Sequence, residues 1–281
     1  MTTGATNEPG AIEERAITAG GLLWECGVQG PESGPPVVLL HGFPEYWRTW
    51  TKVMPPLAAA GFRVYAPSLP GYGMTDPPKS YALDDLAGLI AAFADEVGGG
   101  RAHLVGHDWG GIVGCAAAAL HPESFRSAAV ACCAHPRAFS TAWNNPEQIL
   151  RSWYVLAFQI PGIEKVIGRK DVLERGTKVA VTDIDDPDAM ARALEYYRTN
   201  LRPWNLNSSS AGTVPIPGLV LHAKRDVGIT EAMMRATAEQ FDDLRAFEVM
   251  DSGHFVQRTR PDAMLEYLLP FLRTVEDASE R

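Results

Sequence analysis

One six-residue segment restricts this 281-residue chain more than any other: Gly106-His107-Asp108-Trp109-Gly110-Gly111. It stands between an apolar run at 102–106 that reads as a strand and an Ala- and Gly-rich run at 110–121 that reads as a helix. Glycine two residues before and two residues after Asp108 marks a tight, strained turn. Neighbouring β-carbons there would collide with strand and helix. A helix N-cap also favours Asp, but a cap needs neither glycine. The turn lifts the Asp108 side chain above a sheet and leaves the N–H of Trp109 at a helix start, facing whatever approaches. A carboxylate in that position attacks saturated carbon well and forms an alkyl ester with it.

The rest of the chain supplies the sheet. Strand-like runs fall at 12–18, 22–28, 37–40, 63–67, 127–133, 219–223 and 246–250, and helical runs at 48–60, 83–97 and 265–272. Val37-Val38-Leu39-Leu40 is continuously apolar, as a strand buried on both faces requires. Strands alternating with helices imply a mostly parallel sheet flanked by helices, an α/β fold. From 137 to 212 the pattern turns helical, with aromatics clustered at 153–158 and 196–204. That segment is expected to form an inserted lid over the carboxyl ends of the strands, where open α/β sheets bind ligands. The core would then comprise residues 1–136 and 213–281. Residues 1–10 are polar with Gly and Pro and are expected to be disordered.

Composition excludes several classes. With 46% apolar and 21% charged residues, the chain is an ordinary globular protein. A net charge of −9 without any Lys/Arg run argues against a nucleic-acid partner. The longest apolar stretch, 110–120, is about half the ~20 residues of a membrane span, and the N-terminus lacks the pattern of a signal peptide. Cys26, Cys115, Cys132 and Cys133 show no C-x-x-C spacing and read as reduced thiols of a cytoplasmic protein.

Further along, the run at 219–223 exits through Lys224-Arg225-Asp226, and Ser252-Gly253-His254-Phe255 follows the last strand-like run. Nucleophile, acid and histidine then occur in the chain order that suits a Gly-x-nucleophile-x-Gly turn. Asp226 can hold the tautomer of His254; Asp251 is a weaker competitor.

Together these segments resemble the α/β-hydrolase fold, in the branch of epoxide hydrolases and haloalkane dehalogenases that use an Asp nucleophile. His41-Gly42-Phe43-Pro44-Glu45 resembles that branch's oxyanion-hole motif, and Pro70-Gly71-Tyr72-Gly73-Met74-Thr75-Asp76 resembles its Gly-Tyr-Gly-x-Ser-Asp loop, with Thr75 for Ser. The elbow at 106–111 and the histidine segment at 252–255 complete the set. Tyr154, four residues before Phe158-Gln159, and Tyr197, before Arg198, match the two lid tyrosines of epoxide hydrolases, with Tyr196 as the alternate.

The resemblance implies epoxide hydrolysis to a vicinal diol through an ester on Asp108, with Asp226 and His254 completing the relay. Tyr154 and Tyr197 would bind and protonate the epoxide oxygen beside Trp109, and the N–H groups of Phe43 and Trp109 would form the oxyanion hole. Glu45 would organise water or simply be structural, and the Phe43–Pro44 bond is expected to be cis. No metal or organic cofactor is implied. The partner would be a small apolar or aromatic epoxide, and the reading admits a homodimer. Two alternatives stand. A haloalkane or haloacid dehalogenase would use the same Asp108, with Trp109 and lid tryptophans (Trp143, Trp153, Trp204) near the halide. A non-catalytic ligand-binding protein could share the scaffold.

Overall fold

The computed structural model describes residues 10–139, 145–169, 172, 187–201 and 209–279. The expected disorder at 1–10 falls, but for Gly10, outside these residues, as do parts of the expected lid, including Trp143 and Trp204.

Eight strands form one sheet: β1 (Glu13–Ala19), β2 (Leu22–Gln29), β3 (Pro36–Leu40), β4 (Arg63–Pro67), β5 (Ala102–His107), β6 (Phe125–Ala131), β7 (Val214–Arg225) and β8 (Phe241–Gly253). Their order is β1-β2-β4-β3-β5-β6-β7-β8. β1 and β2 pair antiparallel, as do β2 and β4. From β4 to β8 every pairing is parallel.

Alternating side chains of the central strands feed two hydrophobic layers, the period-2 consequence of the pleat. Leu104 joins the layer under α2 (Leu83–Gly98) and α3 (Trp109–Leu120). Its neighbour Val105 joins the layer covered by α1 (Met54–Ala59) and the C-terminal helix Pro261–Ser279. Helices on both faces explain why β5 is buried along its whole length.

The sequence expectations change in detail. The helical run at 48–60 divides into a 3-10 turn, Trp47–Trp50, followed by α1. The sixth strand, Phe125–Ala131, begins and ends two residues before the expected 127–133 and exits through Cys132 (φ 51°). A helix at Glu231–Ala238, capped by the Thr230 hydroxyl on the Met233 N–H, was not anticipated. The last strand begins at Phe241, five residues before the expected start; it lies at the sheet edge, where Asp242, Asp243 and Arg245 dilute the apolar pattern.

Between β6 and β7 the described residues form four helices: α4 (Pro146–Arg151), α5 (Trp153–Ala157), α6 (Glu164–Ile167) and α7 (Pro187–Asn200). The helices Glu231–Ala238, Val256–Thr259 and Pro261–Ser279 are then α8, α9 and α10. Asn145 caps α4 by accepting from the Glu147 and Gln148 N–H groups. Gln148 ties α4 to the core, donating to the Gly228 carbonyl (2.8 Å) and accepting from the Thr230 N–H (2.9 Å). α7 docks through the Tyr196 hydroxyl on the Pro70 carbonyl (2.9 Å) and through Asn200, which accepts from the Leu83 N–H (3.0 Å) and donates to the Tyr81 carbonyl (2.8 Å). No described helix is long and apolar enough to cross a membrane.

The turn between β5 and α3 leaves no room for a side chain at its flanking glycines. A β-carbon on Gly110 would stand 2.3 Å from the Leu40 carbonyl oxygen, and one on Gly106 would stand 2.5 Å from the Gly110 carbonyl oxygen. Both obstacles are backbone and cannot rotate away. Gly110→Ala should therefore lower unfolding free energy by about 3 kcal/mol or more, the upper end of overpacking costs. Gly212→Ala, where a β-carbon meets nothing within 4 Å, should be near neutral. Urea denaturation of the two variants checks this.

Candidate active site

Asp108 occupies the apex of that turn with φ 51° and ψ −120°. An L-residue held there costs on the order of 1–3 kcal/mol and persists only when the surroundings enforce it. The surrounding close contacts do so and aim the carboxylate above the strand ends. Gly42 makes room for it: a β-carbon on Gly42 would stand 2.3 Å from that of Asp108. The Phe43 N–H donates to Asp108 Oδ1 at 2.8 Å, and the Phe43–Pro44 bond is cis. Trp109 opens α3, so its N–H has no acceptor within the helix.

On the other carboxylate oxygen, Oδ2, His254 Nε2 approaches to 3.6 Å. His254 Nδ1 is 2.9 Å from Asp226 Oδ2, and Asp226 Oδ1 accepts from the Gly228 N–H (2.8 Å) and Ile229 N–H (3.0 Å). Asp108 and Asp226, from the ends of β5 and β7, thus bracket one imidazole supplied after β8. Asp251 does not enter: it is exposed and paired with Arg225.

The charges tune one another. Burial alone would raise Asp108, but the hydrogen bond and charge of His254 and the Phe43 N–H leave its carboxyl below the ordinary range. Burial likewise opposes ionisation of Asp226, yet His254 and two backbone N–H groups bring it down to about 2. Burial would lower His254, and the two carboxylates more than reverse this, holding it well above its ordinary value. Burial raises both Tyr154 and Tyr197, with the Asp108 charge adding to it, so both phenols keep their protons at neutral pH.

Tyr154 on α5 and Tyr197 on α7 line one cavity with Asp108 and Trp109. Their rings meet edge to face at 6.2 Å, and Tyr197 stands edge-on to Trp109 at 5.0 Å. Tyr196, one residue away, points elsewhere: its hydroxyl is bound to Pro70 and it does not line the cavity. Trp153 is 67% exposed.

Glu45 is fully buried and does not face the cavity. It accepts from the Thr49 hydroxyl (2.6 Å) and the Gln257 amide (2.8 Å). Gln257 also reaches His107 Nδ1 (3.1 Å), and His107 Nε2 meets the His254 carbonyl at 2.8 Å. This network clamps the loop that carries His254, and the structural reading of Glu45 is the one its partners favour. Sequence reasoning missed Gln257 and His107 as parts of it; a buried Glu needing donors was the only available signal. His107, Cys132 and His254 have ligand atoms within 4.8 Å of one another. A metal ion there would have to displace the hydrogen bonds that His107 and His254 already make.

Arg198 braces the tyrosine-bearing helices. It donates from α7 to the Phe158 carbonyl (3.1 Å) and pairs with Glu164 on α6 (2.8 Å).

Comparison with known proteins agrees with this architecture. A family model described as alpha/beta hydrolase fold matches residues 35–166. The chain is 29% identical to the AB hydrolase superfamily protein YfhM of Bacillus subtilis, over 92% of this chain and 96% of that one. It is also 29% identical to epoxide hydrolase A of Mycobacterium tuberculosis, over 95% and 99%. Among solved structures, a metagenomic epoxide hydrolase from a hot environment superposes with a TM-score of 0.80 at 26% identity, covering 93% of this chain and 99% of that one. The protein has the α/β-hydrolase fold. Within that fold it is similar to the epoxide hydrolases.

Asp226 has its folded value (about 2) below its unfolded value (3.8), so its ionisation stabilises the fold above pH ~4. That contribution, about 2 kcal/mol for a shift of nearly two units, should vanish as pH falls toward 2. Urea denaturation between pH 5 and 2 should show this component in the wild type and not in Asp226→Asn.

Proposed function

We propose that the protein hydrolyses epoxides to vicinal diols, with Asp108 as nucleophile. The observation that carries this reading is the pair of protonated phenols, Tyr197 buried and Tyr154 partly so, sharing one cavity with an ionised carboxylate on a nucleophile elbow. In the division this reading assumes, residues 1–136 and 213–281 form the core and 137–212 the lid.

Asp108 Oδ2 attacks one ring carbon from behind. The C–O bond breaks and its electron pair goes to oxygen, which takes a proton from Tyr154 or Tyr197; an acid is needed at that moment because an alkoxide is a poor leaving group. An ester on Asp108 results, with Oδ1 as its carbonyl oxygen, already held by the Phe43 N–H. Esterification removes the Asp108 charge, one of the influences keeping His254 protonated. His254 is thereby turned from an ion-pair partner into a base at the step where a base is required. It takes a proton from water, water attacks the ester carbonyl carbon, and the developing oxyanion meets the Phe43 and Trp109 N–H groups. Asp226 stabilises the imidazolium formed. Collapse breaks the bond between that carbon and Oδ2, which leaves in the diol with the proton that His254 returns; the Asp108 acid proton then re-forms the His254 imidazolium, and the tyrosinate regains from solvent the proton that His254 gave up on esterification. Water oxygen stays in Asp108.

The dehalogenase reading draws less support. Of its candidate indoles among the described residues, Trp153 is exposed and Trp109 packs edge-on to Tyr196 and Tyr197. A purely binding role leaves the complete carboxylate–histidine–carboxylate chain without use.

Asp108→Asn should abolish diol formation, measured by mass spectrometry of product. His254→Gln should trap the ester as a mass gain, equal to the substrate, on the peptide containing Asp108. Halide release from a haloalkane with no diol from any epoxide would replace this reading with the alternative. In the wild type, the ester should accumulate as pH falls, because Asp108 stays ionised while His254 in the ester regains its proton. Quenched intact-mass spectra from pH 8 to pH 5 measure that fraction.

A further inference from the structure

The cavity is one-sided, and this bears on which epoxide fits. Besides Asp108, Trp109 and the two tyrosines, its wall is built from Ile112, Phe139, Ile149, Leu156, Ile229 and Met233, among others. Among the described residues, Asp108 is the one charged group on that wall. Gln148, which also touches it, has its amide engaged: Nε2 with Gly228 and Ser152, Oε1 with Thr230. An arm lying there meets aliphatic and aromatic surface and finds no partner for a charge, whose burial unpaired is costly.

Next to the carboxylate on its Phe43 side, space is filled instead. Phe43, whose N–H touches Asp108, packs its ring on Phe158 at 5.3 Å. Both rings pack on Tyr197, at 5.2 and 4.9 Å, and Phe158 also meets Tyr154 at 5.4 Å. Neither phenylalanine lines the cavity. A ring oxygen held by the two tyrosines and a carbon in front of Asp108 leave the second carbon's substituents two directions, one open and one occupied by this aromatic cluster.

We propose, on the footing of the epoxide reading, that the substrate is a terminal epoxide with one neutral apolar arm, and that Phe158, stacked on Phe43, rejects substituents on the other ring carbon. Phe158 is then a specificity-determining residue that acts by occupying space. Its removal should open the second direction without touching Asp108, His254 or Asp226.

The test compares two isomers of equal carbon count, 1,2-epoxyoctane and trans-4,5-epoxyoctane, by kcat/KM for diol formation. The wild type should favour the terminal isomer at least about tenfold, the scale on which steric fit of small apolar groups discriminates. Phe158→Ala should raise the internal isomer about tenfold and leave the terminal one within about threefold. Phe158→Leu, which keeps most of the volume, should retain the wild-type preference. Comparable wild-type rates on the two isomers, or an unchanged ratio in Phe158→Ala, would overturn the assignment while leaving epoxide hydrolysis intact. Diol from neither isomer, nor from styrene oxide, would overturn both together.

Discussion

The site depends on how closely the start of α3 approaches the end of β3. Gly110 lies within a β-carbon's reach of the Leu40 and His41 carbonyls, and Gly106 lies equally close to α3 itself. Nothing larger than hydrogen fits at either position. That contact forces Asp108 into its left-handed conformation, and with it fixes where the carboxylate points. It also brings the Phe43 N–H and the first N–H of α3 to the same place. The direction of the carboxylate and its contact with the Phe43 N–H therefore follow from one packing constraint, and the strain at Asp108 is offset by a sheet and helix that leave it no alternative.

From that point the site is organised by charge. Two carboxylates in a buried setting would repel and take up protons; one imidazole between them keeps both ionised. The arrangement is poised to change when one charge disappears, because Asp108 and Asp226 jointly hold the His254 proton. A reaction that neutralises Asp108 alters the basicity of His254 without any movement of the chain. The phenols respond in the opposite sense: the same low-dielectric surroundings and the nearby Asp108 charge keep them protonated. Pairing with His254 keeps the carboxylates ionised and burial keeps the phenols neutral, the division that acid–base work on one substrate requires.

How much of this was legible in the sequence depended on how local the cause was. The elbow announces itself because the two glycines flank Asp108 within five residues of chain, even though the obstacle at Gly110 is the distant Leu40 carbonyl. The strand exits carrying Asp226 and His254 could be read from apolar runs that end in short polar loops, and the structure has the two side chains 2.9 Å apart. The tyrosines were different. Aromatics in helical segments look alike whether they pack or react, so Tyr154 and Tyr197 were reached only by resemblance. The choice between Tyr196 and Tyr197 is made by the Pro70 carbonyl, 126 residues away. The clamp under His254 was invisible for the same reason: Glu45 and Gln257 are separated by 212 residues. The edge strand Phe241–Gly253 was underestimated because exposure lets charges interrupt its alternation.

The helices α5 and α7 matter in this molecule as a source of aromatic rings held at defined angles. Arg198 draws the end of α5 to α7 through the Phe158 carbonyl, and Asn200 and Tyr196 fasten α7 to the core. The result is a cluster in which Phe43, Phe158, Tyr154 and Tyr197 meet edge to face or tilted, with centroids 4.9–6.2 Å apart, the range in which such pairs are attractive. Two members carry hydroxyls and two do not. The same packing that fixes the two phenols beside Asp108 therefore also fills one flank of the carboxylate with hydrocarbon. On the reading proposed above, proton donation and shape selection would share that single set of contacts, and Phe158, which meets the phenols ring to ring, is the member whose change would separate them.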